Sequence, residues 1–123
     1  IGSGEMGRLA AKHLLRSKAD VVILSRTRAK SDALVEELGE NARADDIEKL
    51  HKYINRYRLL FSATSAKEPI ITNEMIEPMK INRLWFDMAI PRDIEEIYNE
   101  KTKVYRIDDL QNISKSNHAL RQE

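Results

Sequence analysis

The sequence predicts an α/β fold, a doubly wound and open parallel sheet with helices packed on both faces to give three layers. Three observations predict it. The chain opens on Ile1-Gly2-Ser3-Gly4-Glu5-Met6-Gly7, a G-x-G-x-x-G run directly before a helical pattern. A β-branched run, Val21-Val22-Ile23-Leu24, follows at the distance a βαβ unit needs. Further short apolar runs then alternate with helix-like stretches, as a parallel sheet requires.

Each glycine of the opening run has a separate task in a dinucleotide-binding turn. Gly2 allows the tight turn out of a strand. Gly4 lets backbone N–H groups approach a pyrophosphate, and Gly7 lets the helix pack closely on the sheet. The phosphates then sit at a helix N-terminus, which carries about half a positive charge. Such a turn normally follows a buried strand of about 5–6 residues, yet only Ile1 stands before Gly2. The first strand of this Rossmann-type sheet is therefore expected to be largely missing from the chain. Its slot, central in the order 3-2-1-4-5-6, should not be filled by other residues.

The elements follow in order. Residues 5–17 read as a helix, with Met6, Leu9, Ala10 and Leu14 inward and Arg8, Lys12 and Arg16 in water. Val21 to Ser25 reads as a buried parallel strand. Residues 28–38 form a second helix with Ala33, Leu34, Val35 and Leu38 inward, stopped by Gly39. Residues 41–44 suggest an edge strand. Asp45 or Asp46 caps a third helix to about Tyr53, with Ile47, Leu50 and Ile54 inward. Residues 58–63 are the next strand, and Thr72 caps a short helix running to about Met79. Residues 84–88 and 103–107 are the last strands, and Asp108 or Asp109 caps a final polar helix. The boundaries are a nucleotide-binding domain over 1–108 and the start of a connecting helix over 109–123.

Composition narrows the function. The 123 residues suffice for one domain with one core. With 21 basic against 20 acidic residues the net charge is +1, which gives no electrostatic footprint for nucleic acid or an anionic membrane. No apolar run reaches the roughly 18–20 residues that span a bilayer. The absence of cysteine excludes disulfides, thiolate metal sites and a cysteine nucleophile within this chain. The default location is cytoplasmic. No metal-ligand cluster is visible. His13 reads as a surface or boundary histidine rather than a functional base, and His51 and His118 as solvated side chains.

The end of the second strand indicates which dinucleotide. NAD enzymes place Asp or Glu there to hold the ribose 2′-OH. This chain has Ser25-Arg26-Thr27-Arg28-Ala29-Lys30, three cations and two hydroxyls with no acid. A 2′-phosphate carries close to two negative charges. A carboxylate would repel it, whereas Arg offers a planar fork of donors. The expected cofactor is NADPH. At the end of the 58–63 strand, Ser62-Ala63-Thr64-Ser65-Ala66 supplies small and hydroxylic residues where Rossmann ligands bind. Asp87-Met88-Ala89-Ile90-Pro91-Arg92-Asp93 reads either as an active-site wall or as a salt-bridged loop.

These segments carry a resemblance. The glycine run with Ala10-Ala11-Lys12-His13-Leu14 resembles the cofactor turn of glutamyl-tRNA reductase. Ser25-Arg26-Thr27 is similar to that family's Asn-Arg-Thr, with serine in place of asparagine. Pro69-Ile70-Ile71-Thr72 stands where the family has it. Asp87-Met88-Ala89-Ile90-Pro91-Arg92-Asp93-Ile94 resembles its Asp-Ile-Ala-Val-Pro-Arg-Asp-Ile, the most specific match. Tyr105-Arg106-Ile107-Asp108-Asp109-Leu110 matches its Tyr-x-Ile-Asp-Asp-Leu. One departure is Ser62-Ala63-Thr64-Ser65, where the family has Ser-Ser-Thr-Gly. That stretch, with Ser-Arg-Thr, is also similar to shikimate dehydrogenase, which lacks the Asp87-to-Ile94 run.

The resemblance implies the NADPH-binding domain of an enzyme that reduces glutamyl-tRNA to glutamate-1-semialdehyde at the start of tetrapyrrole synthesis. A cysteine on a catalytic domain outside this chain would form the thioester that hydride reduces, so no catalytic residue is expected here. The 109–123 helix would begin a spine leading to a dimerisation domain, making the longer protein a homodimer. Glutamyl-tRNA would be met through the missing catalytic domain, and glutamate-1-semialdehyde aminomutase is a candidate partner. By residue, Gly2, Ser3, Gly4, Glu5, Met6 and Gly7 would cradle the pyrophosphate. Ser25, Arg26, Thr27 and Lys30 would hold the 2′-phosphate and adenine side. Thr64, Ser65 and Ala66 would line the cofactor's middle, and Ala89 and Pro91 would flank the nicotinamide. Asp87, Arg92 and Asp93 would fix the loop and the domain junction rather than move protons. Two alternatives stay open: a shikimate-dehydrogenase-like NADP oxidoreductase, and a nucleotide-sensing module without chemistry.

Overall fold

The computed structural model describes residues 1–106. The elements alternate as far as the third strand and then run strand to strand: α1 (Glu5–Arg16), β1 (Val21–Ser25), α2 (Arg28–Leu38), β2 (Ala42–Asp46), α3 (Leu50–Ile54), β3 (Leu59–Ser62), β4 (Arg83–Asp87) and β5 (Thr102–Arg106). All strand pairs are parallel. β1 pairs with β2, Val21 opposite Ala42. β4 lies between β3 and β5, with Trp85 opposite Leu60 on one side and Val104 on the other. The proposed final helix and the domain boundary at 108 lie outside the described residues.

β1 and β3 do not pair with each other. Ile1 and Gly2 join them. Gly2 N–H donates to Leu24 O at 2.8 Å and Ala63 N–H to Ile1 O at 3.0 Å. The Ile1 amino group donates to Phe61 O. These bonds place Ile1 and Gly2 at the carboxyl end of the central strand position. Beneath them lies a cavity of about 430 Å³, lined by Val21 to Leu24, residues 58–61 and the inward side of α1. No other described residue fills that slot.

Alternation along β1 divides the core into two layers. Val21 and Ile23 pack with Ala11 of α1 and Leu34 of α2. Leu24, with Val22 beside it, packs on the other face with Leu50, Ile54, Ile71, Trp85 and Ile94. Helices thus cover both faces of β1, with α1 and α2 on one side and α3 on the other.

The structure corrects several local expectations. Met6 and Leu9 are not inward; they are 44% and 47% exposed, while Ala11 is buried. The cause is Gly7. A Cβ there would lie 2.4 Å from Gly2 O, so position 7 must face the sheet. Positions 11 and 14 follow it at helical spacing, and positions 6 and 9 turn outward. On α2, Ser31 and Leu34 are buried and Ala33 is exposed. β2 runs on to Asp46; Asp46 stands at the N-cap of the 3-10 turn that follows but makes no side-chain cap, and Asp45 caps nothing. A 3-10 turn over Ile47–Lys49 leads into the short α3. Thr72 precedes only a 3-10 turn, Asn73–Met75, without a side-chain cap. Asn73 instead ties that turn to Glu95, Glu96 and Tyr98. His51 is exposed, as expected, with its Nε2 3.2 Å from the equally exposed Glu77.

Candidate functional site

At the carboxyl ends of the strands lies a cleft of about 800 Å³. Its floor is the glycine turn, Ile1, Gly2, Ser3 and Gly4. One wall is Ser25, Arg26, Thr27 and Lys30 after β1. The opposite wall is Ala63, Thr64, Ser65 and Ala66 after β3, with Ile47 and Ile70 completing the lining. In an open parallel sheet this is where ligands bind, where the strand order reverses.

The floor owes its shape to backbone proximity. Gly2 has φ +104°, and a Cβ there would lie 2.5 Å from Ala63 O. Gly2 and Gly7 are thus held by contact, one against β3 and one against the turn. Gly4 differs, because nothing lies within 4 Å of a Cβ built on it. Its side of the turn faces open space. Gly4 is also the N-cap of α1 and offers no side chain to the first N–H groups of the helix. Those donors lack intrahelical partners and sit at the positive end of a 12-residue helix.

The first wall carries the cations. Arg26 extends across the mouth of the cleft, its Nη2 donating to Ser65 Oγ at 3.0 Å. Arg26 and Lys30 are exposed and line the cleft. Arg28 is engaged elsewhere. It donates to Asp32 at 2.9 Å, Asp46 at 3.0 Å and Ala44 O at 3.2 Å, and these carboxylates raise its pKa further. Only two of the three cations expected there therefore face the cleft. Ser25 is buried, its Oγ meeting Thr27 O at 2.8 Å and Ser31 Oγ at 2.5 Å. Its hydroxyl shapes the loop that presents Arg26.

Behind the second wall lies a buried polar network. Asp93 Oδ2 accepts from Ser62 Oγ at 2.6 Å and from the Thr64 amide at 2.9 Å, and Oδ1 accepts from Thr64 Oγ1. Asp87 accepts from the amides of Ala89, Asp93 and Ile94 and from Arg106 Nη1 at 3.0 Å. Both aspartates are at most 1% exposed. The stretch after β4 is therefore a hydrogen-bonded loop fixed by two carboxylates. Arg92 lies outside this network, exposed and 3.8 Å from Glu96.

The structure gathers Gly2, Ser3, Gly4, Ser25, Arg26, Thr27, Lys30, Thr64, Ser65 and Ala66 around the one cleft. Glu5 and Met6 lie exposed on the first turn of α1, outside the lining. Gly7 serves the packing of α1 on the turn. Ala89 is buried and Pro91 exposed, both beyond the lining. Ala63, Ile47 and Ile70 join the lining beyond the expected set. Ala63 follows directly from the small-residue run in which it stands, whereas the two isoleucines carry no local signal. Among the described residues no group of His, Cys, Asp and Glu could hold a metal ion. No described helix is long and apolar enough to cross a membrane.

A glycine turn under an open cleft, with cations at the end of the neighbouring strand, defines a nucleotide-binding α/β domain. Comparison with known proteins agrees. The model of the shikimate / quinate 5-dehydrogenase family matches residues 1–113, and the chain belongs to that family. The match also suits a shikimate-type enzyme without favouring it. The relatives are more specific. The chain is 57% identical over all its 123 residues to glutamyl-tRNA reductase of Sulfurovum sp. (strain NBC37-1) and 50% identical to that of Campylobacter curvus (strain 525.92). It spans 28% and 29% of those proteins' lengths. Among solved structures it resembles glutamyl-tRNA reductase from Methanopyrus kandleri, with TM-score 0.81 and 31% identity over 98% of this chain and 32% of that one. The nucleotide-binding domain of the Thermoplasma volcanium enzyme shares the fold, with TM-score 0.78 and 24% identity over 99% of this chain and 82% of that one.

Proposed function

We propose that this chain is the NADPH-binding domain of a glutamyl-tRNA reductase. It would serve the reduction of glutamyl-tRNA to glutamate-1-semialdehyde in tetrapyrrole synthesis, in the cytoplasm. The acylated cysteine and the tRNA contacts would belong to parts of the longer protein beyond this chain. When bound, NADPH supplies the hydride. The residues described here bind and orient it.

The observation that carries this reading is Arg26 reaching over a cleft that lacks an acid at the β1 end. The fit of a dinucleotide rests on the turn itself: Gly4 leaves space where a side chain would intrude, above uncapped N–H groups at the tip of α1. Gly2, Ser3 and Gly4 would cradle the pyrophosphate, with Glu5, Met6 and Gly7 contributing backbone from the first turn. Arg26 and Lys30 would hold the 2′-phosphate, with Ser25 and Thr27 shaping that loop. Thr64, Ser65 and Ala66 would line the middle of the cofactor, and Ala89 and Pro91 the nicotinamide side.

A hydrogen bond to a charged group contributes roughly 1.5–3 kcal/mol. Arg26→Ala should therefore weaken NADPH by roughly 10- to 150-fold and leave NADH almost unchanged, as measured by titration. Arg28→Ala, whose guanidinium is held by Asp32 and Asp46, should leave the affinity for NADPH within a factor of about two. Equal losses for both cofactors in Arg26→Ala would refute the phosphate role.

A further inference from the structure

The two walls of the cleft differ in what they can offer a ligand. Arg26 and Lys30 present donors alone. Thr64, opposite, has both its protons committed. Its amide and its hydroxyl each donate to Asp93. One lone pair of the hydroxyl accepts from Ala66 N–H at 3.2 Å. What Thr64 Oγ1 can still do toward the cleft is accept. A phosphate oxygen has nothing to donate and would meet a lone pair, with a buried carboxylate behind it. A sugar hydroxyl or a primary amide has the proton that this oxygen lacks.

On the dinucleotide reading above, we infer that Asp93 is a positioning residue that acts through Thr64. By taking Thr64's protons, it leaves Thr64 Oγ1 as an acceptor beside the cleft, suited to a donor group of the cofactor, a ribose hydroxyl or the carboxamide N–H. Asp93 itself is 0% exposed, so it would act only through Thr64.

The test uses the 123-residue chain and two probes, NADPH and 2′,5′-ADP, which carries only the phosphorylated half. Thr64→Val and Asp93→Asn should each weaken NADPH by about 2- to 12-fold, the loss of one neutral hydrogen bond. Binding of 2′,5′-ADP should not change. Thr64→Ser should bind NADPH as the parent does. The double variant should lose no more than either single one, since both remove the same interaction. Equal weakening of both probes, or additive losses in the double variant, would overturn the assignment and leave Asp93 a structural residue. Thr64→Val keeps the shape of the side chain, so its two affinities decide the question even if Asp93→Asn does not fold. Failure of the parent chain to bind 2′,5′-ADP would instead sink the dinucleotide reading, and the assignment with it.

Discussion

Two glycines of the opening turn differ in the reason that each is glycine. A methyl added at Gly7 would press on the Gly2 carbonyl, a backbone atom that cannot swing aside. Gly7→Ala should destabilise the fold by roughly 1–3 kcal/mol, the usual cost of overpacking, as read by urea denaturation. A methyl added at Gly4 meets nothing within 4 Å. Gly4→Ala should cost no more than about 1 kcal/mol, the difference between glycine and alanine at an N-cap, while weakening NADPH, because the methyl enters the space above the helix tip. An unchanged NADPH affinity in Gly4→Ala would show that this glycine serves folding alone. The spacing of these residues is visible in the sequence, but the division of labour between them is not. It depends on how closely α1 approaches the turn. Arg28 makes a similar point. In the sequence it is one of three equivalent cations. In the fold, β2 brings Asp46 alongside and removes it from the site.

Among the elements, the loop after β4 depends most on a single side chain. Asp87 holds the amides of Ala89, Asp93 and Ile94, and its ion pair with Arg106 ties the loop to the end of β5. Removing a partner from a buried, paired charge costs about 3–5 kcal/mol. Asp87→Ala should lower the unfolding free energy by about that amount in urea titrations. A loss below about 1 kcal/mol would show that the loop is held by its packing instead. β1 is legible from its apolar run, because burial on both faces leaves a continuous signal, whereas β2, Ala42–Asp46, carries almost none. The short helices are also less legible. Asp45 resembles an N-cap, yet it lies at the end of β2, where it accepts from Tyr53 OH and its own neighbour's amide. The Tyr53 hydroxyl, followed by the amide of Asp46, holds that carboxyl well below the usual range. Thr64 and Asp93 are 29 residues apart. They meet because β3 and β4 pair in parallel, a register no local pattern prints.

At the scale of the whole molecule, the sheet is joined across its middle by Ile1 and Gly2. The order of elements, the glycine turn and the cationic strand end all point to one nucleotide cleft, and the fold brings them together.

The central claim is that Arg26 and Lys30, with no acid beside them in the cleft, select the phosphorylated dinucleotide. Parallel calorimetric titrations of the unmodified chain with NADPH and NADH test it most directly. Binding of NADPH at least about 10-fold tighter is predicted, and equal affinity for the two would contradict the account.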